Sequence, residues 1–212
     1  MKQGTTAPAV RRRAATRERM LEAARSVLAR EGIQGASVEH ICEQAGFTRG
    51  AFYSNFGSKD ELLLALFARE QELTMGSLRE AADPSSLAGG DALEVFAAVI
   101  DRFLLLQPPD REWFQVHTEF QLRGLRHDEV GAQVVAAWRE VRRDFEEFLT
   151  SVAGAMGLRL TVEPSRVASI LMGTYDHAMR DSLLLDRPLD VDLLRTTLPT
   201  VLLSVVEPAP GA

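Results

Sequence analysis

Arg49, Gly50, Tyr53 and Ser54 fall on the outward side of one short helix-like pattern. Those four types suit a nucleobase edge and the phosphates beside it. An arginine fork can bond guanine at two points, glycine lets a backbone come close, and a phenol hydroxyl reaches a phosphate. Ser37, Thr48 and Lys59 sit at or beside helix starts, where free N–H groups and the helix dipole favour an anion. The stretch therefore combines a short reader with anchors at the edges of a groove.

Other chemistries find little support. His117, Glu119, His127 and Asp128 are close in sequence and could suggest a metal. His117 and Glu119 are two apart, so they diverge on a helix. No metalloprotease or cysteine-rich spacing appears, and no metal or cofactor is expected. Cys42 lacks a nearby histidine and carboxylate set, so it reads as a small core residue rather than a nucleophile. No nucleophile elbow, phosphate-binding loop or dinucleotide glycine pattern is present, so no catalytic residue is assigned.

The elements around the reader are all helical. Met20, Leu21, Ala24, Val27 and Leu28 recur at helical spacing after Thr16, a candidate cap. Gly32 is expected to stop this helix. Ser37 caps a second helix, Val38 to Ala45, and Gly46 makes the turn. Thr48 caps a third, Arg49 to about Asn55, with Phe52 and Phe56 inward. "SKDE", Ser58 to Glu61, matches a capping box and opens a long fourth helix to about Ala82. Helices this short need tertiary packing to persist, and the first three share one apolar core. In a helix-turn-helix the second helix of such a pair enters the major groove.

Further along, Asp83 to Gly90 reads as a linker. Helices are expected over Asp91–Gln107, Asp110 to Gly124, His127–Met156, Pro164 to Asp186 and Val191–Val206, with Pro199 kinking the last. "GLRLTVEP" reads as a loop. The chain is thus expected to be all-α with about nine helices. Residues 1–15 read as a mobile basic arm, 16–57 as a helix-turn-helix domain, and 58–212 as a second, larger helical domain, for which the resemblance given below implies ligand binding and dimerisation.

Bulk properties agree. At 46% hydrophobic, the 212 residues can fill a core. Net charge is −6, yet residues 1–60 carry ten Lys/Arg against six Asp/Glu, so a +4 head adjoins a −10 body. A basic head on an acidic body suits a polyanion at the head alone. The longest apolar run, Leu62 to Ala68, is seven residues, far short of a bilayer span. One cysteine and no secretory signal point to the cytoplasm.

The run "GIQGASVEHICEQAGFTRGAFYSNFGSKDELLLALF" resembles the N-terminal signature of the TetR family of bacterial transcriptional regulators, over Arg17 to about Phe67. "TEFQLRGLRHDEV" and "ILMGTYDHAMRDSLLL" resemble segments of some members. Phe47 and Cys42 stand where smaller apolar residues are frequent. The resemblance implies an all-helical homodimer, three N-terminal helices on double-stranded DNA, and about six C-terminal helices that bind a small effector. It places phosphate contacts on Ser37, Thr48, Tyr53 and Lys59, and base-proximal positions on Arg49, Gly50, Ala51 and Ser54. It also implies a repressor released by ligand.

Trp113, His117 and Phe120 share a face at i, i+4 and i+7; Phe103, Trp138 and Tyr175 are further aromatics of the C-terminal region. Such stripes fill cores, and they also line apolar pockets. All six are carried as candidate ligand contacts. The last two helices are apolar on more than one side, which suits a two-fold dimer seam. Two other readings stay open: a regulator controlled by a protein partner, with a solid C-terminal core, and a helical enzyme that carries this head.

Overall fold

The computed structural model describes residues 6–83, 91–108, 110–126 and 128–210. Among them are nine helices: α1 (Thr6–Gly35), α2 (Val38–Ala45), α3 (Arg49–Tyr53), α4 (Lys59–Ala81), α5 (Ala92–Leu106), α6 (Arg111–Gly124), α7 (Glu129–Ala155), α8 (Pro164–Leu184) and α9 (Val191–Ser204). Two three-residue strands, β1 (Leu158–Leu160) and β2 (Val206–Pro208), pair antiparallel. The fold is all-α in class. No described helix is long and apolar enough to cross a membrane.

The chain forms two compact units. One is Met1–Glu70 with Asp110–Ala137; the other is Gln71–Pro109 with Trp138–Ala212. The first takes in the start of α4 together with α6, so its edge lies beyond the 57/58 boundary expected from the sequence. Its core holds Met20, Ala24, Val27, Leu28, Ile41, Phe52, Phe56, Leu62, Leu66 and Phe67, all buried. The second unit packs Leu149, Val167, Ala168 and Leu171 against Phe145, Phe148, Leu198 and Leu202. A smaller group there joins Ala82 and Val95 to Val99, Val152 and Met156.

Helix α1 starts at Thr6, so residues 6–15 are helical here rather than an arm. The stretch is rich in alanine and arginine, both good helix formers. Thr16 is not a cap: its hydroxyl donates to Arg12 O at 2.9 Å, a bond made inside a helix. Gly32 does interrupt α1, with φ 74° and ψ 163°. The break is held by a carboxylate from α6, as Ile33 N donates to Glu119 Oε2 at 2.6 Å.

The expected cap Asp110 and the expected helix start Asp190 accept from Trp113 N and Leu193 N, and Asp91, expected inside its helix, instead caps it by accepting from Leu93 N. Pro164 opens α8 and Pro199 lies buried inside α9. Two expectations need correction. "GLRLTVEP" is not all loop, because Leu158, Arg159 and Leu160 pair with Pro208, Glu207 and Val206. Helix α9 ends at Ser204 for the same reason, since the chain from Val206 joins that ladder. Arg159 and Glu207, opposite each other, form an ion pair.

Candidate nucleic-acid interface

The local chemistry of the turn sets how α3 is presented. Ser37 Oγ accepts from His40 N at 3.1 Å and so starts α2. Gly46 ends it with φ 71° and ψ 35°, a left-handed conformation that side chains with a Cβ adopt poorly. Its N–H and that of Phe47 return to Glu43 O and Cys42 O. Glycine is thus favoured by conformation rather than by size, since a Cβ there would meet only Arg19 Nη2, at 3.6 Å. Thr48 Oγ1 accepts from Ala51 N at 3.2 Å and starts α3. That helix is only five residues long and ends at Tyr53, two residues earlier than the sequence suggested, with Ser54 as its C-cap.

Phe52 fixes α3 from below, fully buried against Phe56 at 5.7 Å and edge-on to Tyr53 at 5.2 Å. Asn55 Nδ2 donates to Ala51 O at 2.8 Å, and Ser54 Oγ donates to the same carbonyl at 2.8 Å. With its underside held, α3 exposes Arg49, Gly50, Tyr53 and Ser54 and leaves Ala51 half-buried. A Cβ at Gly50 would meet only Thr48 Oγ1, at 3.7 Å. The fold therefore tolerates a side chain there, and what glycine leaves open faces outward.

Arg49 is held in place before any partner arrives. Its Nη1 lies 2.6 Å from Glu39 Oε1 on α2, and its guanidinium lies 5.9 Å from the Tyr53 ring centre. A hydrogen bond with Tyr53 and the charge of Glu39 both favour the charged guanidinium. Glu39 was not found by sequence reasoning. Its position on the second helix, facing the third, is the signal that could have shown it. Glu39→Gln removes a carboxylate from the exposed face and frees Arg49. Because the pair is exposed and screened by solvent, the gain in affinity for duplex DNA is expected to be modest, about five-fold at most. Titration of both proteins with one labelled duplex checks it, and unchanged or weaker binding would count against it.

Lys59 has a role the sequence did not reveal. Its ammonium donates to Ile33 O and Ala36 O, each at 2.9 Å. It ties the start of α4 to the end of α1 and is half-buried. The capping box is displaced by one residue: Ser58 Oγ accepts from Glu61 N at 3.0 Å, while Glu61 Oε2 accepts from Gly57 N at 2.7 Å. His40 pairs with Glu31 at 2.9 Å, and this bond raises the imidazole pKa and lowers that of the carboxyl.

Arginines of α1 bind carbonyls at the ends of α2 and α3. Arg19 donates to Ala45 O at 3.1 Å and lies over the Phe47 ring at 4.8 Å. Arg17 donates to Asn55 O and lies 4.2 Å from the Phe56 ring centre. Arg13 donates to Ser54 O at 3.1 Å. These cations meet the negative ends of the two short helices.

The aromatic candidates fall in different compact units. Trp113, His117 and Phe120 lie on α6 in the first unit, and Phe67 of α4 occupies their shared face. Its ring stacks on Phe120 at 4.5 Å and on His117 at 5.8 Å, and lies 6.1 Å from Trp113. Burial lowers the His117 pKa to about 4, so the imidazole is neutral. Phe103 and Tyr175 meet edge-on at 6.1 Å in the second unit, which also holds Trp138. An open surface hollow of about 480 Å³ lies between α7 and α8, lined by Arg143, Glu146, Glu147, Thr150, Ser151 and Pro164, and includes none of the six candidates.

The residues considered for a metal have other partners. His117 is in the aromatic cluster, Glu119 binds Ile33 N, and Asp128 Oδ1 accepts from Gly131 N at 2.6 Å. His127 lies outside the described residues. Among the described residues no three ligating side chains come together. Cys42 is buried, and that burial raises its thiol pKa, as suits a core residue.

Comparison with known proteins gives the same picture of the head. Residues 20–66 match the family model for bacterial regulatory proteins of the tetR family. The transcriptional repressor AcnR of Corynebacterium glutamicum is 33% identical over 116 residues, 54% of this chain and 53% of that protein. The chain spans about half the length, or less, of the curated relatives it matches. Among solved structures, the regulator FadR of Bacillus subtilis, crystallised with stearoyl-CoA, aligns with TM-score 0.66 at 21% identity, over 88% of this chain and 97% of that one. A TetR transcription regulator from Haloarcula marismortui aligns with TM-score 0.69 at 17% identity, over 92% and 100% of the two chains. The fold likeness thus extends over most of the chain, while the family motif is concentrated in its N-terminal helices. Residues 20–66 thus carry the N-terminal signature of the tetR family of bacterial regulatory proteins.

Proposed function

We propose that this chain is a sequence-specific DNA-binding regulator of transcription, rather than a catalyst, working in the cytoplasm as a homodimer. The observation that carries the reading is the outward face of α3. Arg49, Gly50 and Ser54 are exposed while Phe52 and Asn55 anchor the helix beneath. Ser37, Thr48, Tyr53 and Lys59 are assigned to phosphates. For Lys59 this uses the N–H left over from its two carbonyl bonds.

A symmetric pair would place two such helices about one DNA turn, ~34 Å, apart. The seam is assigned to α8 and α9, where Ile170, Leu184, Val191 and Leu193 are exposed. A small, mainly apolar effector taken up by the C-terminal region would favour a state with a different spacing and release the operator, through a coupling of ~1–3 kcal/mol. The complex of the FadR neighbour with stearoyl-CoA is consistent with an apolar ligand body. Phe103, Trp138 and Tyr175 are the contacts assigned to it. Trp113, His117 and Phe120 already pack on Phe67, so a ligand contact there would have to share that cluster.

Arg49→Ala tests the reader. It is expected to cost ~1–3 kcal/mol on the cognate duplex and to relax preference at one base step. Equal losses on cognate and random DNA would remove Arg49 as a base reader.

A further inference from the structure

The first seventeen residues carry Lys2, Arg11, Arg12, Arg13 and Arg17 and no carboxylate. From Thr6 this stretch is helix, continuous with the part of α1 that packs in the core. Two long-range bonds fix its place. Arg13 Nη2 reaches Ser54 O at 3.1 Å, and Arg17 reaches Asn55 O. Ser54 closes α3. The early turns of α1 therefore pass beside the end of the helix that carries Arg49. Arg11 and Arg12, just before Arg13, are exposed.

We infer that these early turns of α1 are a second DNA-contacting element, in which Arg11 and Arg12 bind backbone phosphates flanking the bases faced by α3. The inference rests on the DNA-binding reading above and adds a contact to it. The helical state selects the phosphates. A flexible arm can thread the minor groove, but a helix about 10–12 Å across does not enter a groove about 6 Å wide. Arginines on its surface can still reach the groove's edge, where charge rather than base identity decides binding. Arg13 is a positioning residue: its bond to Ser54 O sets the distance between the two elements.

The test compares wild type with the double variant Arg11→Ala/Arg12→Ala on one selected duplex and on random duplex, from about 50 to about 200 mM salt. The slope of log affinity against log salt is expected to be shallower by about 3.6 in the variant, because the dimer loses two phosphate contacts at each half-site, at about 0.9 for each. The ratio of cognate to random affinity is expected to stay the same, and hydroxyl-radical protection to be lost only at the flank of each half-site. An unchanged slope in the variant, with wild type binding normally, overturns this inference alone. A loss confined to the cognate duplex also overturns it, because the arginines would then be reading bases. Wild-type protein that binds no duplex overturns the DNA-binding reading and this inference together.

Discussion

Phe67→Ala is expected to destabilise the protein by about 3–5 kcal/mol, the largest single-residue effect anticipated here. Phe67 is 2% exposed and its ring meets Phe120, His117 and Trp113. Truncation removes the buried ring and leaves a cavity that three stiff aromatic neighbours on one helix cannot close. Phe67→Leu keeps most of the volume and should cost roughly 1.5 kcal/mol or less. Urea unfolding gives the values, with the midpoint moving and the slope unchanged if only stability is altered. A cost under about 1 kcal/mol for the alanine variant would mean that this face is not a packed core. The cluster would then be open to a ligand after all.

His117 makes a second large effect, through pH. The folded imidazole titrates near 4, while the unfolded chain takes its proton near 6.5. Between those values the unfolded state binds a proton that the native state refuses, so acid favours unfolding. The contribution is fully present above pH 6.5 and fades as pH falls toward 4, reaching about 2 kcal/mol lost by pH 5 and about 3 kcal/mol below pH 4. Contact with the Phe67 face would soften this by ~0.5–1 kcal/mol if the imidazolium gains from the ring. His117→Phe should flatten the stability curve between pH 6.5 and 5 relative to wild type. Parallel curves for the two proteins would show that His117 is not desolvated in the folded state.

The head was legible because its chemistry is local. Ser37, Gly46 and Thr48 each act within a few residues of themselves, and their types name the turn. The same holds for Asp110, Pro164 and Asp190 further along the chain. What could not be read joins distant residues. Nothing near Glu119 in sequence points to Ile33, and nothing near Lys59 points to the carbonyls that end α1. Arg13 is forty-one residues from Ser54, so a basic run that reads as an arm gains its partner only in the folded head. The β1–β2 ladder escaped notice because three-residue strands show no alternation and pair across α8 and α9. The aromatic stripe on α6 was seen, but periodicity cannot say whether a ligand or Phe67 covers it.

In the proposed complex α3, carried by the first three helices, reads duplex DNA twice in a symmetric pair. Selecting genomic fragments with the purified protein and footprinting the strongest one tests it most directly. Two protected, inverted half-sites are expected, with centres about 34 Å apart along one face of the duplex. A protein that stays monomeric at micromolar concentration and enriches no fragment over random DNA in dilute buffer would contradict it.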